Sequence, residues 1–278
     1  MVCQRRRPTS GCRHKRTRLT RDAGTQAVKA WLYEGLLTMK KDDVCALIRK
    51  VGVIPAIRVR SGDDAHFAAE AVTHGGIPIV EITMTVPGAV ELISHLCRSK
   101  AKIAVGAGTV LDAETARKCI DAGACFLTAP AFNPAVVEFA AKQNMAVLPG
   151  ALTPTEIVAA WSAGGDFVKV FPCAPLDGDK YIKALHTALP QVALIAAGGV
   201  NQQTAGNYIL SGATAIGVGT ELIPTEAIER RQADRIRELA RRFLKLVKDA
   251  RKQIEEWQQS LVIKTYTGTE ECEKQDAS

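Results

Sequence analysis

Residues 145–171 read MAVLPGALTPTEIVAAWSAGGDFVKVF. An apolar run, Met145–Leu148, is followed by Pro149-Gly150 and then by Pro154–Trp161, where apolar residues recur at helical spacing. Gly164 closes that helix, and a second apolar run, Asp166–Phe171, comes next. The stretch is strand, turn, helix, turn, strand. Apolar runs this short, buried on both faces and alternating with helices, indicate a parallel sheet.

The same unit recurs on both sides. Eight apolar runs are present: Val51–Arg58, Ile77–Ile82, Lys102–Val105, Cys125–Thr128, Met145–Leu148, Asp166–Phe171, Val192–Ala196 and Ala213–Gly217. Their centres lie about 20–26 residues apart, with helical patterns between them over Asp63–Val72, Ala89–Cys97, Asp112–Ala122, Pro134–Gln143, Pro154–Trp161 and Lys180–Leu189. Gly75, Gly123, Gly164 and Gly212 read as helix stops. Eight such units predict an α/β fold, a single-domain (β/α)8 TIM barrel. A doubly wound open sheet shares the local pattern and is the alternative.

The ends differ from this body. Of the 36 Lys and Arg, eight lie in residues 1–22 beside one acid, Asp22, and the whole +7 charge of the chain comes from there. The remaining 28 bases and 28 acids balance. A neutral body argues against a nucleic-acid binder, which needs a clustered cationic face on the folded domain. Residues 1–38 read as a basic, disordered extension or a start-site artefact, with Met39 the natural start. Asp42 or Asp43 is then the expected cap of the first helix. The barrel is expected over 39–250. Ile236, Ala240, Phe243, Val247, Ala250, Ile254 and Trp257 alternate by four and three, a heptad seam on a last helix that extends beyond residue 250. Residues 251–278 are expected to be a helix extension passing into a loose tail from 260, which contains Gly268, Glu270, Glu271, Glu273 and Asp276.

With 47% hydrophobic and 23% charged residues the chain has ample core, and no apolar run approaches the roughly 20 residues of a membrane span. No secretory segment follows the N-terminal charges, so export is not expected. The eight cysteines include no C-x-x-C pair, so a structural metal is not expected, and several sit in apolar stretches as small hydrophobes, which fits a reducing, cytoplasmic setting.

In a barrel, active residues come from the C-terminal ends of strands and the following loops. The polar residues there are Arg58, Arg60, Glu81, Thr83, Thr109, Thr128 and Lys169, with Gly198-Gly199 and Gly219-Thr220 after the last two strands. Lys169 lies in Asp166-Phe167-Val168-Lys169-Val170-Phe171-Pro172, on one face with Phe167 and Phe171. Burial disfavours the charged amine, and a neutral amine is the nucleophile that forms a Schiff base with a ketone. Glu81 stands alone in an apolar strand, where an unpaired carboxylate is costly and a paired one moves protons. The bland alternative is a structural ion pair of these two, or of Glu81 with Arg58. Gly198, Gly199 and Gly219 let backbone N–H groups approach an anion where barrels often hold phosphate. Gly106-Ala107-Gly108-Thr109 reads as a tight strand-to-helix turn, or as a hydroxyl offered to a substrate carboxylate. His74, His95 and His186 fall away from strand ends, so a histidine base is disfavoured.

These motifs resemble one family, the class I aldolases that cleave 2-keto-3-deoxy-6-phosphogluconate (KDPG) or 4-hydroxy-2-oxoglutarate (KHG). The resemblance rests on Val80-Glu81-Ile82-Thr83, Gly106-Ala107-Gly108-Thr109-Val110, Pro149-Gly150 with Thr153-Pro154-Thr155-Glu156, Val168-Lys169-Val170-Phe171-Pro172, Gly198-Gly199-Val200 and Gly217-Val218-Gly219-Thr220, in family order over about residues 42–248. It implies a lyase of sugar-acid (Entner-Doudoroff) metabolism, a homotrimer needing neither metal nor cofactor. It implies Lys169 as the Schiff-base residue, Glu81 as proton acceptor and donor, and Thr109 on the pyruvate moiety. Gly198, Gly199, Gly219 and Thr220 would receive the phosphate. Two positions depart from the pattern. Thr85 stands where many members carry the carboxylate-binding arginine, a part that Arg58 fits instead. Ala197 stands where a threonine is usual, which leaves room for the galactonate epimer, an unphosphorylated analogue or KHG as substrate. Readings of another class are a non-catalytic barrel and a binder of anionic partners through residues 5–21.

Overall fold

The computed structural model describes residues 39–99 and 103–275. The basic stretch 1–38, and with it the source of the +7, lies outside the described residues. The chain opens with α1 (Lys41–Val51), whose N-cap is Lys40 rather than an acid. Asp42 and Asp43 sit inside the first turn, where they face the positive end of the helix dipole instead of capping it. Strands β1 (Val53–Ile57), β2 (Ile79–Thr83), β3 (Ala104–Gly108), β4 (Phe126–Thr128) and β5 (Ala146–Leu148) follow, separated by α2 (Gly62–His74), α3 (Ala89–Arg98), α4 (Ala113–Asp121) and α5 (Pro134–Lys142). After Pro149 comes a two-residue strand, β6 (Gly150–Ala151), then α6 (Pro154–Ser162), β7 (Val168–Val170), α7 (Asp179–Ala188), β8 (Leu194–Ala197), α8 (Ala205–Leu210), β9 (Ala215–Val218), α9 (Thr225–Glu229) and α10 (Ala233–Gln275).

All pairings are parallel, in the order β5-β4-β3-β2-β1-β9-β8-β7-β6. The two ends of this order are consecutive in sequence. Pro149 has no N–H for a ladder, so it splits one stave into β5, which pairs with β4, and β6, which pairs with β7. Asp166 and Lys169 donate their N–H groups to Val147 and Pro149 across the same seam. Eight staves therefore close a barrel with helices outside it.

Local chemistry explains most of the frame. The side chains of Ser61, Asp112, Asn133 and Thr153 cap α2, α4, α5 and α6, and Thr153 with Glu156 forms a reciprocal capping box ahead of Pro154. Gly123, Gly164 and Gly212 leave their helices at φ 102°, open to glycine alone at little cost. Gly75 stops α2 as expected but not by a left-handed turn of its own. It remains right-handed, Gly76 takes the positive φ, and a Cβ on Gly75 would meet the Ala240 Cβ of α10 at 2.5 Å. The expected turn at Gly106–Gly108 is also corrected, since both glycines lie inside β3. A Cβ on Gly106 would enter the Phe126 ring at 2.2 Å, and one on Gly108 would meet Glu81 Oε1 at 2.1 Å.

Ile236, Ala240, Phe243, Val247 and Ala250 of α10 are buried on the barrel, whereas Trp257 is exposed. The stretch expected as a loose tail is helical to Gln275. One Gly in a helix interior costs about 1 kcal/mol, which elongation from a formed helix absorbs. At the barrel base, Lys41 pairs with Asp166 at 2.8 Å and Arg251 donates to the carbonyls of Arg49, Lys50 and Thr214. Among the described residues no helix is long and apolar enough to cross a membrane, and no cluster of three or more His, Cys, Asp or Glu side chains is assembled for a metal.

A Cβ at Gly150 would stand 2.2 Å from the Pro130 carbonyl carbon, a backbone atom with nowhere to go. Gly150→Ala is expected to destabilise the barrel by about 1–3 kcal/mol, read as a fall in urea midpoint at unchanged slope. A second expectation concerns the thiols. Burial pushes Cys45, Cys97 and Cys119 up to about 11 and Cys125 up to about 12. These thiols keep their protons in the folded state above the pH, roughly 8.5–9, at which the unfolded chain releases them. Stability is thus full below about pH 9 and falls as pH rises toward 11. Urea midpoints measured across this range should decline, and iodoacetamide should label these cysteines slowly in the native protein and quickly once it is unfolded.

Candidate active site

The chemistry-bearing residues gather at the C-terminal ends of the staves. Lys169 is the centre of β7, paired with Gly150 on one side and Ile195 on the other. Its inward neighbours are Phe167 below and Phe171 above. Arg49 lies over the Phe167 ring at 4.8 Å, and Lys169 Nζ lies 5.7 Å from the centre of the Phe171 ring. This stack, predicted by strand alternation, holds the lysine stem upright in the barrel.

Glu81 is the centre of β2 and only 3% exposed. Its Oε1 lies 3.4 Å from Lys169 Nζ, which donates to it across the barrel. The carboxylate reaches this point by occupying the volume that a side chain at position 108 would fill. Coulomb attraction is stronger here than at the surface, and the same burial makes either group costly without the other.

A cavity of about 270 Å³ opens above the pair. Its walls include Arg58, Phe171, the Gly198-Gly199 turn and Gly219-Thr220. Gly198 and Gly199 adopt φ 83° and 91°, which turns backbone toward the cavity. The N–H groups of Gly199, Val200, Thr220 and Glu221 make no backbone hydrogen bond among the described residues, so four donors remain for an anion. Below the turn, the buried Cys173 thiol donates to the Gly198 carbonyl. Arg58 is exposed at the cavity mouth, one residue beyond β1.

The structure thus brings together Lys169, Glu81, Arg58, Gly198, Gly199, Gly219 and Thr220. It does not bring Thr109 to the cavity wall. Thr109 follows β3 at φ 60°, a left-handed conformation that strains a β-branched residue. Arg60 lines a neighbouring cavity of about 220 Å³ with Asp64 and Glu229 instead. Thr83 is tied into the wall, donating to the Ile57 carbonyl at 3.0 Å. Thr128 is 1% exposed, and its hydroxyl has no partner among the described residues. His74, His95 and His186 lie on helices. Glu221 and Ile223 also line the cavity and were not singled out by sequence, because their loop has no pattern to place it.

A lysine nitrogen against a buried carboxylate, under a cavity with a cation at its mouth and free N–H groups at one end, suits a bifunctional anionic carbonyl compound. Known proteins agree with that chemistry. The profile of the KDPG and KHG aldolases matches residues 44–239. The 2-dehydro-3-deoxy-phosphogluconate aldolase of Treponema pallidum is 30% identical over 200 residues, covering 72% of this chain and 95% of that protein. The crystal structure of KDPG aldolase from Legionella pneumophila, with pyruvate captured at low pH as a covalent carbinolamine intermediate, is 29% identical with a TM-score of 0.66. It spans 71% of this chain and 96% of that one. A cube-shaped, highly porous protein cage designed by fusing symmetric oligomeric domains is 30% identical with a TM-score of 0.72, over 79% and 80% of the two chains. On a match that covers most of the barrel, the chain belongs to the KDPG and KHG aldolase family.

Proposed function

We propose that this protein is a class I aldolase, a carbon–carbon lyase that cleaves 2-keto-3-deoxy-6-phosphogluconate to pyruvate and glyceraldehyde 3-phosphate. The observation that carries the reading is the Lys169–Glu81 pair at 3.4 Å beneath the cavity. Glu81 takes a proton from the lysine, and Nζ attacks C2 of the keto acid to give a carbinolamine. Glu81 returns that proton to the carbinolamine hydroxyl, and loss of water leaves an iminium, an electron sink two bonds from the bond to be broken, with the carboxylate free again. Glu81 accepts the proton of the C4 hydroxyl directly or through one water, the C3–C4 bond breaks, and its electron pair becomes the enamine. The aldehyde leaves, C3 takes back a proton, and hydrolysis releases pyruvate and the free lysine.

Arg58 is the cation for the carboxylate, which a guanidinium holds with two parallel hydrogen bonds. Gly198, Gly199, Gly219 and Thr220 are the phosphate end, supported by the free N–H groups there. Thr109, which does not line the cavity, is kept as a contact of the pyruvate moiety on the resemblance alone. We assign the chemistry to residues 39–250, and leave 1–38 and 251–278 outside it. A homotrimer in a reducing cytoplasm completes the reading. It is supported by the likeness to a cage of fused oligomeric domains and by the five free thiols, buried or half-buried, among the described residues.

Borohydride with pyruvate should fix a reduced adduct on the Lys169 peptide by mass spectrometry. Lys169→Met should abolish both adduct and turnover, and survival of either would overturn the assignment. Glu81→Gln should lower kcat by about 10²–10⁴ while the adduct still forms. Gly108→Ala should displace the Glu81 carboxylate and lower kcat by about tenfold to a hundredfold, with the circular dichroism of a folded barrel. Of the candidate substrates, the phosphorylated gluconate should have the highest kcat/KM. Its margin over the dephosphorylated acid should be modest, because Ala197 offers no hydroxyl and the Glu221 carboxylate shares that end of the cavity.

A further inference from the structure

Thr128 carries a polar atom that nothing in the reaction above uses. It ends β4, is 1% exposed, and its hydroxyl has no hydrogen-bond partner among the described residues. A buried hydroxyl without a partner is uncommon and calls for a physical reason. Its surroundings supply one. The register Gly106↔Phe126 and Ala107↔Leu127 places Thr128 opposite Gly108. The Phe126 ring fills the inward space beside Gly106, so Phe126 and, two residues on, Thr128 both face the barrel interior. The inward space beside Gly108 is filled by the Glu81 carboxylate, whose Oε1 lies 2.1 Å from where a Cβ would stand. Thr83 is the β2 residue in register with Gly108, but the Glu81 side chain rises from its own partner Gly106 into the space beside Gly108, so its carboxylate and Thr128 flank a position that has no side chain.

Glu81 has need of such a neighbour. Among the described residues, Lys169 is the one donor to its carboxylate, at a long 3.4 Å. An ammonium has three N–H donors, but an iminium on the same nitrogen has at most one, directed by the plane of the C=N bond. When substrate is covalently attached, a carboxylate 3% exposed is left with at most that one directed donor at the stage where it must accept and return a proton. We propose that Thr128 is a positioning residue for Glu81. Its hydroxyl donates to the carboxylate, directly or through one water, while Lys169 is an iminium or enamine, and so holds the carboxylate toward substrate carbon. The proposal rests on the Schiff-base reading of Lys169.

The experiment isolates proton transfer from bond cleavage. Wild type, Thr128→Val and Thr128→Ser are each incubated with pyruvate in deuterium oxide, and exchange of the methyl hydrogens is followed by NMR. Exchange needs the iminium and a base, but no C–C bond is made or broken. Thr128→Val, which keeps the shape and removes the hydroxyl, should slow exchange by about tenfold, lower kcat for cleavage more than it changes KM, and still give the borohydride adduct. Thr128→Ser should recover exchange to within about threefold of wild type. Wild-type exchange in Thr128→Val overturns the proposal, as does equal loss in the Val and Ser variants, which would assign the effect to the methyl group and packing. Should Thr128→Val fail to fold, Thr128→Ala compared with Thr128→Ser reads the same hydroxyl. A wild-type protein that neither exchanges pyruvate nor forms the adduct overturns the Schiff-base reading itself. Wild-type adduct with an unaffected Thr128→Val overturns this inference alone.

Discussion

Two opposite charges 3.4 Å apart inside an apolar ring set the terms on which the barrel is built. The contact between Lys169 and Glu81 joins β7 to β2 across the interior, so it exists only if the ring closes. Closure runs through Pro149, where one stave is divided so that each half serves a different neighbour. The carboxylate then needs room, and β3 yields it by omitting a side chain at Gly108. The layer below is filled by Phe126 over Gly106, and the layers beside the lysine by Phe167 and Phe171. An ion pair in this place is poor evidence of stability in itself, because desolvation offsets much of the attraction. Its retention is understandable as a reactive arrangement that the surrounding packing tolerates.

The two ends of the barrel divide the work. At the base, Lys41 with Asp166, Arg49 over Phe167, and Arg251 on three carbonyls tie helices to strand starts. At the other end, the turns after β8 and β9 leave donors unused and the arginine after β1 stands exposed. Rigid below and unsatisfied above is the usual division in this architecture: the unused donors lie on loops that packing constrains least, while Lys169 and Glu81 are held inside the strands.

Much of this was legible in the sequence, for identifiable reasons. The period of the apolar runs gives the staves, and a charge in an apolar strand is conspicuous, which is why Lys169 and Glu81 stand out. Glycine is where the reading goes astray. Gly106 and Gly108 look like turn residues until the Phe126 ring and the Glu81 carboxylate are seen beside them, and Gly75, which does stop its helix, gives no hint that Ala240 packs against it. Those are tertiary facts with no local signature. Elements of two to six residues, β6, α8 and α9, are too short for periodicity to register. Glu221 and the orphan hydroxyl of Thr128 depend on loop placement and strand register. The rule that polar residues at stave ends are candidates selected Arg60 along with Arg58, and only the folded walls show that Arg58 borders both cavities while Arg60 borders the neighbouring one alone.

The exclusion between Glu81 and a side chain at 108 also constrains how this protein can change over generations. A bulkier residue at 108 is incompatible with the glutamate, while a shorter residue at 81 leaves a void beside 108 that a larger one can fill. The two positions form an epistatic pair, and a single nucleotide change at codon 108 meets selection through a residue 27 places away. A descendant that abandoned the chemistry while keeping the barrel would be expected to lose the glutamate first and the glycine second.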